Sequence, residues 1–367
     1  MNNLIYKIAF ASIRGMGVDL ARKILEVIPD EKEFFSLSEK QLQTITGSRS
    51  KMCGSAYRKS LLERAEREMD FITNKHIGLS YFTDDNYPKR LLEATDAPLL
   101  LFQSGQCDLN AKHMVSIVGT RHATQYGQRF CDDLVADFKE KLQDVVIISG
   151  LAYGIDIAAH RAALKHNVPT VAILAQGLNK IYPSAHRNDA IKIVRQGGAV
   201  VTDYQSQDDI HRGNFLARNR IIAGLADCTI VVESAATGGA LVTASLAQSY
   251  NRDVFAVPGR VNDEFSRGCN KLIRNNGAQS ISCADDVIEA MRWESIKPKT
   301  LVQGNLFPEL TAEEQSVINA LRDKGDQHIN DLAGELKVPI YKLLGVLVEL
   351  DCKGMVLTLP GSRYTLR

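Results

Sequence analysis

From Met114 onward the chain alternates short β-rich runs with helical segments, and few architectures accept that alternation. The runs are MVSIV (114–118), VVIIS (145–149), TVAIL (170–174), AVVTD (199–203), CTIVVES (228–234) and DVFAVP (253–258). Between them, Gln128 to Leu142, Ile155 to His166 and Phe215 to Ala226 place apolar residues at helical spacing. The pattern predicts an α/β domain built on a Rossmann-like, doubly wound parallel sheet with helices on both faces. In such sheets ligands sit outside the carboxyl ends of the strands.

The loop after each run is therefore the place to look for function. The first run ends in Gly119-Thr120-Arg121, where a glycine lets the chain turn and an arginine comes next. Two readings fit these letters: a strand terminator with a solvated charge, or a ligand loop. The later loops share the theme of glycine plus cation. Ser149-Gly150 opens LAYGID, and Lys180 lies in GLNKIYP after the third run. Arg212, Arg218 and Arg220 lie in a connection with no acidic residue from 212 to 220. Gly238-Gly239, after the fifth run, can present backbone N–H groups at a helix start.

Arginine forks pair with phosphate in a bidentate way, and bare glycine backbone lets an anion approach. The loops together predict a polyanion groove. Its candidate residues are Gly119, Thr120, Arg121, Gly150, Lys180, Arg212, Phe215, Arg218, Asn219, Arg220, Gly238 and Gly239. Phe215 offers an aromatic face to an unstacked base, although a lone aromatic at a helix start also fits the core. His160 follows Asp156 by one helical turn, a spacing read as a structural hydrogen bond; one histidine and one carboxylate are too few ligands for a metal site.

Several function classes lack their signatures. No G-x-x-x-x-G-K-[ST] loop, G-x-G-x-x-G fingerprint or G-x-S-x-G elbow occurs, so no nucleotide or dinucleotide cofactor and no hydrolase nucleophile is expected. The formal net charge of +1 excludes a polybasic coat, so any nucleic-acid site must be a local concentration of cations. Seven cysteines are scattered without a C-x-x-C pair, as in reduced, mostly buried thiols of a cytosolic protein. There is no leader with an h-region and no run near the ~18 to 20 apolar residues of a membrane span, so a cytoplasmic protein without membrane contact is expected.

The flanks read differently. Residues 1–75 are helical, and Gly15-Met16-Gly17 and Ile45-Thr46-Gly47-Ser48 sit between helices. These fit either helix-hairpin-helix (SAM-like) units that offer N–H groups to phosphate or plain α-hairpins with glycine caps; 15 basic against 15 acidic side chains over residues 1–110 suit the second. Residues 76–295 form the core domain, entered through a strand, a turn, a short helix and a second strand over 78–102. A linker covers 296–310. Residues 311–367 read as a winged helix: a helix opened by Thr311-x-x-Glu314, two more helices, then two strands around Pro360-Gly361.

Taken in order, VGTR (118–121), ISGLAYGIDIAAHRAAL (148–164), GLNKIYPSAH (177–186), NFLARNRIIAGLA (214–226), TGGALVTASLA (237–247), VFAVPG (254–259) and GCNKLIRNNGA (268–278) closely resemble the DprA/Smf family. The resemblance covers roughly residues 80–295. It implies a non-enzymatic recombination mediator that binds single-stranded DNA, dimerises through its Rossmann-like domain and loads RecA during natural transformation or related recombination. The family's arginine is matched by Arg121, and its basic residue with an aromatic three positions on is matched by Arg212 and Phe215. The winged helix has seven basic and eight acidic side chains, and its third helix sets Lys342 and Lys353 against the charges of Glu349 and Asp351, so a protein-contact or auxiliary role is expected of it rather than sequence-specific DNA reading.

Two other classes compete. Nucleoside-monophosphate phosphoribohydrolases of the lysine-decarboxylase-like family share the fold, but TGGALVTAS lacks their proline and catalytic glutamate. A transcriptional regulator led by the winged helix would require duplex affinity through Lys342.

Overall fold

The structure, a computed structural model, describes residues 2–47, 50–296, 310–359 and 361–366. Most of the expected linker, Ser48 of the second glycine turn and Pro360 lie outside the described residues. The chain divides into two compact units, 1–296 and 297–367.

The first unit is organised by nine strands: β1 (Gly78–Tyr81), β2 (Leu100–Gly105), β3 (His113–Val118), β4 (Val145–Ser149), β5 (Thr170–Ile173), β6 (Ala199–Thr202), β7 (Cys228–Val231), β8 (Asp253–Ala256) and β9 (Gln279–Ser280). Their order is β1-β2-β6-β5-β4-β3-β7-β8-β9. From β6 to β9 every pairing is parallel, while β2 runs antiparallel to β6 and β1 antiparallel to β2. The chain leaves β3 in one direction to reach β4, β5 and β6, then returns beside β3 for β7 and β8. The switch point thus lies between β3 and β7, where a crevice opens at the carboxyl ends.

β3 is buried along its whole length. Its alternation serves two cores: Met114 and Val118 pack with Ile221, Ile222 and Ala244, while Val115 and Ile117 pack with Leu134, Val135, Ile155 and Ala159. One residue of slip would send both sets to the wrong face. The helix Gln125–Lys141 begins three residues earlier than its periodicity suggests, because Thr124 accepts a bond from the Gly127 N–H and caps it.

The N-terminal helices share the core of the sheet: Ile8, Phe10 and Phe34 belong to one cluster with Leu101 and Phe102. Gly47 has φ of 61° as the cap of the helix Glu39–Thr46, while Gly15, with φ of 83°, lies in the turn between the first two helices. The arginines of the helix Ser55–Lys75 are used internally. Arg58 is buried and donates to the Phe34 and Phe35 carbonyls, and Arg64 pairs with Asp208.

The second unit has helices Ala312–Lys324, Ile329–Leu336 and Ile340–Cys352, with strands β10 (Gln327–His328), β11 (Val356–Leu359) and β12 (Arg363–Leu366) in the order β10-β12-β11. Thr311 and Glu314 form the expected capping box. Buried Glu314 also binds Lys353, which removes that lysine from any phosphate surface. The third helix instead exposes Tyr341, Leu344 and Val348. No helix among the described residues is long and apolar enough to cross a membrane. All seven cysteines are free thiols, five of them buried.

Candidate nucleic-acid interface

Parallel pairing from β6 to β9 brings the loops after β3, β4, β5, β6, β7 and β8 to one edge. At its centre lies Gly119. A Cβ there would stand 2.4 Å from Ile155 Cγ1 and 2.9 Å from the Glu233 carbonyl, so glycine is required by the packing of the helix Ile155–Lys165 against the end of β7. The next residue is tied on both sides: the Thr120 N–H donates to the Glu233 carbonyl (2.7 Å) and its carbonyl accepts from the Ile155 N–H (3.1 Å). Its hydroxyl accepts from the His122 N–H at 3.2 Å. The backbone is thus fixed from within.

The Arg121 side chain projects from this fixed turn into solvent and enters no ion pair among the described residues. Its guanidinium carbon lies 5.8 Å from the centroid of the Phe215 ring. Phe215 is half-buried on the first turn of the helix Arg212–Leu225 and meets Tyr182 edge-on at 5.5 Å. The structure therefore brings Arg121, from the loop after β3, together with Phe215, on the helix that leads from β6 to β7, with Tyr182 beside them. Arg212 and Lys180 are exposed near the same edge.

Gly238 and Gly239 open the helix Gly239–Ser249 and are exposed. A Cβ at these positions meets nothing closer than 3.5 Å, and Gly238 is extended, so the fold does not demand glycine at either. What glycine supplies is bare backbone at a helix N-terminus, open to an anion. Asn219 belongs to the support of this loop, since its side-chain amide donates to the Gly239 carbonyl at 3.3 Å.

Three candidates are scaffold rather than ligand groups. Arg218 is 4% exposed and donates through one nitrogen to the carbonyls of Gly150 and Ile173, tying the ends of β4 and β5. Gly150 exists to admit it: a Cβ would stand 2.3 Å from the guanidinium. Burial and the neighbouring Arg121 charge lower the Arg218 pKa, against the attraction of Asp156. Arg220 pairs with Asp203 and donates to the Asp96 carbonyl. None of the three can grip a phosphate from these positions.

His160 is fully buried and bonds Thr170 Oγ1 at 2.8 Å, so its structural partner is not Asp156. Burial pushes its imidazole down to about 3, which keeps it neutral. No group of three or more His, Cys, Asp or Glu among the described residues is placed to hold a metal ion.

The arm that carries Arg212 and Phe215 is fixed from an unexpected direction. Buried Glu68, on the N-terminal helix Ser55–Lys75, accepts from the Ser206 N–H (2.9 Å) and its hydroxyl (2.5 Å). Gln205 donates to Ser12 Oγ at 2.7 Å, and its carbonyl backs onto Gly177, where a Cβ would stand 2.3 Å away. The connection after β6 is thus clamped between the N-terminal helices and the loop that bears Lys180 and Tyr182. Glu68→Ala is expected to leave the Ser206 donors unpaired, at a cost of about 1–3 kcal/mol of local stability. Hydrogen exchange at the amides of residues 205–208 reads this directly, and unchanged protection there would show that the clamp holds nothing.

Neither Tyr182 nor the Glu68 clamp is among the residues expected from the sequence. Tyr182 carries one local signal, an aromatic beside proline in a strand-end loop. The clamp carries none, because its partners lie 138 residues apart.

The profile of the family described as DNA recombination-mediator protein A matches residues 78–292, and that of the DprA winged helix domain matches residues 307–362. Protein Smf of Escherichia coli K12 is 33% identical over 299 residues, covering 77% of this chain and 75% of that protein. DNA processing protein A from Streptococcus pneumoniae superposes with a TM-score of 0.66 at 30% identity, over 79% of this chain and 97% of that one. DNA processing protein A from Helicobacter pylori, whose structure addresses its single-stranded DNA binding mode, superposes with a TM-score of 0.52 at 30% identity, over 59% of this chain and 97% of that one. With more than half of its length matched by one family profile, the chain belongs to the DNA recombination-mediator protein A (DprA/Smf) family.

Proposed function

We propose that this chain binds single-stranded DNA along the carboxyl edge of its sheet and hands the strand to RecA. The observation that carries the reading is Arg121, an uncompensated cation over the face of Phe215 at the switch point. A phosphate met by a guanidinium fork and a base laid on a neighbouring ring are the two contacts that hold an unstacked strand. Lys180 and Arg212 extend the cationic track, Gly238 and Gly239 offer backbone N–H groups, and Gly119 and Thr120 fix the turn. Gly150, Arg218, Asn219 and Arg220 position these groups from beneath. The family resemblance extends the reading to RecA loading in natural transformation or related recombination, to a homodimer, and to a cytoplasmic binding protein rather than an enzyme. In the winged helix, Tyr341, Leu344 and Val348 suit a protein contact.

The test is a titration of the full chain with a single-stranded oligonucleotide and its duplex at two salt concentrations. The single strand is expected to bind more tightly, with log K falling by roughly 0.7 per phosphate contact for each decade of salt. Equal affinity for the two forms, or no salt dependence, would rule the reading out.

A further inference from the structure

The exposed aromatic side chains of the first unit are confined to one place. Among its described residues only three Phe, Tyr or Trp rings are more than about a third exposed: Tyr126 (52%), Tyr153 (49%) and Tyr182 (50%). Tyr182 follows β5, Tyr153 follows β4, and Tyr126 opens the helix after β3. Because β5, β4 and β3 are neighbours in the sheet, the three rings succeed one another across the carboxyl edge. Folding gains nothing from leaving them there, since burying a large apolar side chain is worth roughly 1.5–3 kcal/mol.

Each ring is also held. Tyr153 stands edge-on to His186 at 4.8 Å, and buried His186 bonds the Leu151 carbonyl at 2.7 Å. The Tyr126 hydroxyl donates to the Pro258 carbonyl at 3.3 Å. Neither ring must be ordered at the moment of binding, which removes one cost of association. Charge accompanies them. Tyr153 shares a cleft of about 390 Å³ with Arg121, His122, Arg161 and Lys165; Arg161 pairs with Asp189 and Lys165 with Asp132, so Arg121 is the lining cation without an ion pair among the described residues. Tyr126 lines a second cleft of about 930 Å³ with Phe265 and Arg260, where Asp263 and Glu264 offset the cation.

We infer that the DNA surface continues past Arg121 and Phe215 onto Tyr153 and then Tyr126, which stack further nucleobases of the same strand. This rests on the single-strand reading of the site. The phosphate contact stays with Arg121, since Arg161 and Lys165 are paired with Asp189 and Asp132, while the acidic wall near Tyr126 admits a base but not the backbone.

The test uses the full chain and oligothymidylates carrying 5-iodouracil. Near-ultraviolet irradiation is expected to give adducts on Tyr153 and Tyr126, found by mass spectrometry. Tyr153→Ala is expected to weaken binding of a long oligothymidylate roughly 5- to 150-fold, the range of one lost stack, with Tyr153→Phe close to the parent chain. Melting temperature should hold, because the ring is half in solvent already. If Arg121→Ala loses affinity while Tyr153→Ala and Tyr126→Ala do not, the extended track is wrong and the single-strand reading stands. If Arg121→Ala binds normally as well, the single-strand reading itself falls. Tyrosine variants that bind DNA normally but fail to stimulate RecA would make the rings a protein contact and overturn the inference.

Discussion

Arg121→Ala is expected to lower affinity for single-stranded DNA by roughly 10- to 150-fold, the range for losing hydrogen bonds to a charged group. The melting temperature should barely move, because Arg121 is exposed and has no ion-pair partner among the described residues; surface changes of that kind usually stay within about 0.5 kcal/mol. Arg121→Lys separates charge from geometry. It keeps the salt dependence of one phosphate contact but loses the planar fork and its stacking on Phe215, so its affinity should fall between the two. Fluorescence anisotropy at two salt concentrations, paired with thermal unfolding, measures all of this. A fall in stability matching the fall in binding would return Arg121 to a structural role.

That prediction depends on a distinction the sequence carried only in part. Position was legible: the run ending at Val118, the glycine after it and the alternation of strands and helices placed Arg121 at a strand's carboxyl end. Gly119 was legible as a turn, though its reason, the approach of Ile155 and the Glu233 carbonyl, was not. Orientation was hidden. Arg212, Phe215 and Arg218 fall at three-residue spacing on one helix, and nothing local says that Phe215 turns toward Arg121 while Arg218 turns beneath the sheet. The acceptors that decide it, Gly150 and Ile173, are 68 and 45 residues away. Tyr126-Gly127, Tyr153-Gly154 and Tyr182-Pro183 left a fainter trace: aromatics beside turn residues at successive strand ends. The N-terminal helices read as a separate module because periodicity reports a helix's own faces. Their contacts with Ser206, Gln205 and Asp208 report where they dock.

Arg218→Met should give the opposite result to Arg121→Ala. Asp156 is buried near Arg218; burial raises its pKa, and the arginine charge opposes that rise. No ion pair joins Arg218 to Asp156 directly; the substitution removes that opposing charge and two hydrogen bonds from a charged donor, each worth about 1.5–3 kcal/mol. In a unit of 296 residues that corresponds to a fall of roughly 5–10 °C in melting temperature. Two carbonyls, of Gly150 and Ile173, lose their donor at the same time. The double variant Arg218→Met/Asp156→Asn should recover part of the loss, because the asparagine carries no charge to strand. Binding measured well below the transition should follow the folded fraction, with the salt slope unchanged, since Arg218 meets no phosphate. A shallower salt slope in fully folded Arg218→Met would instead put its guanidinium on the DNA and remove the basis for treating Gly150 and Arg218 as scaffold.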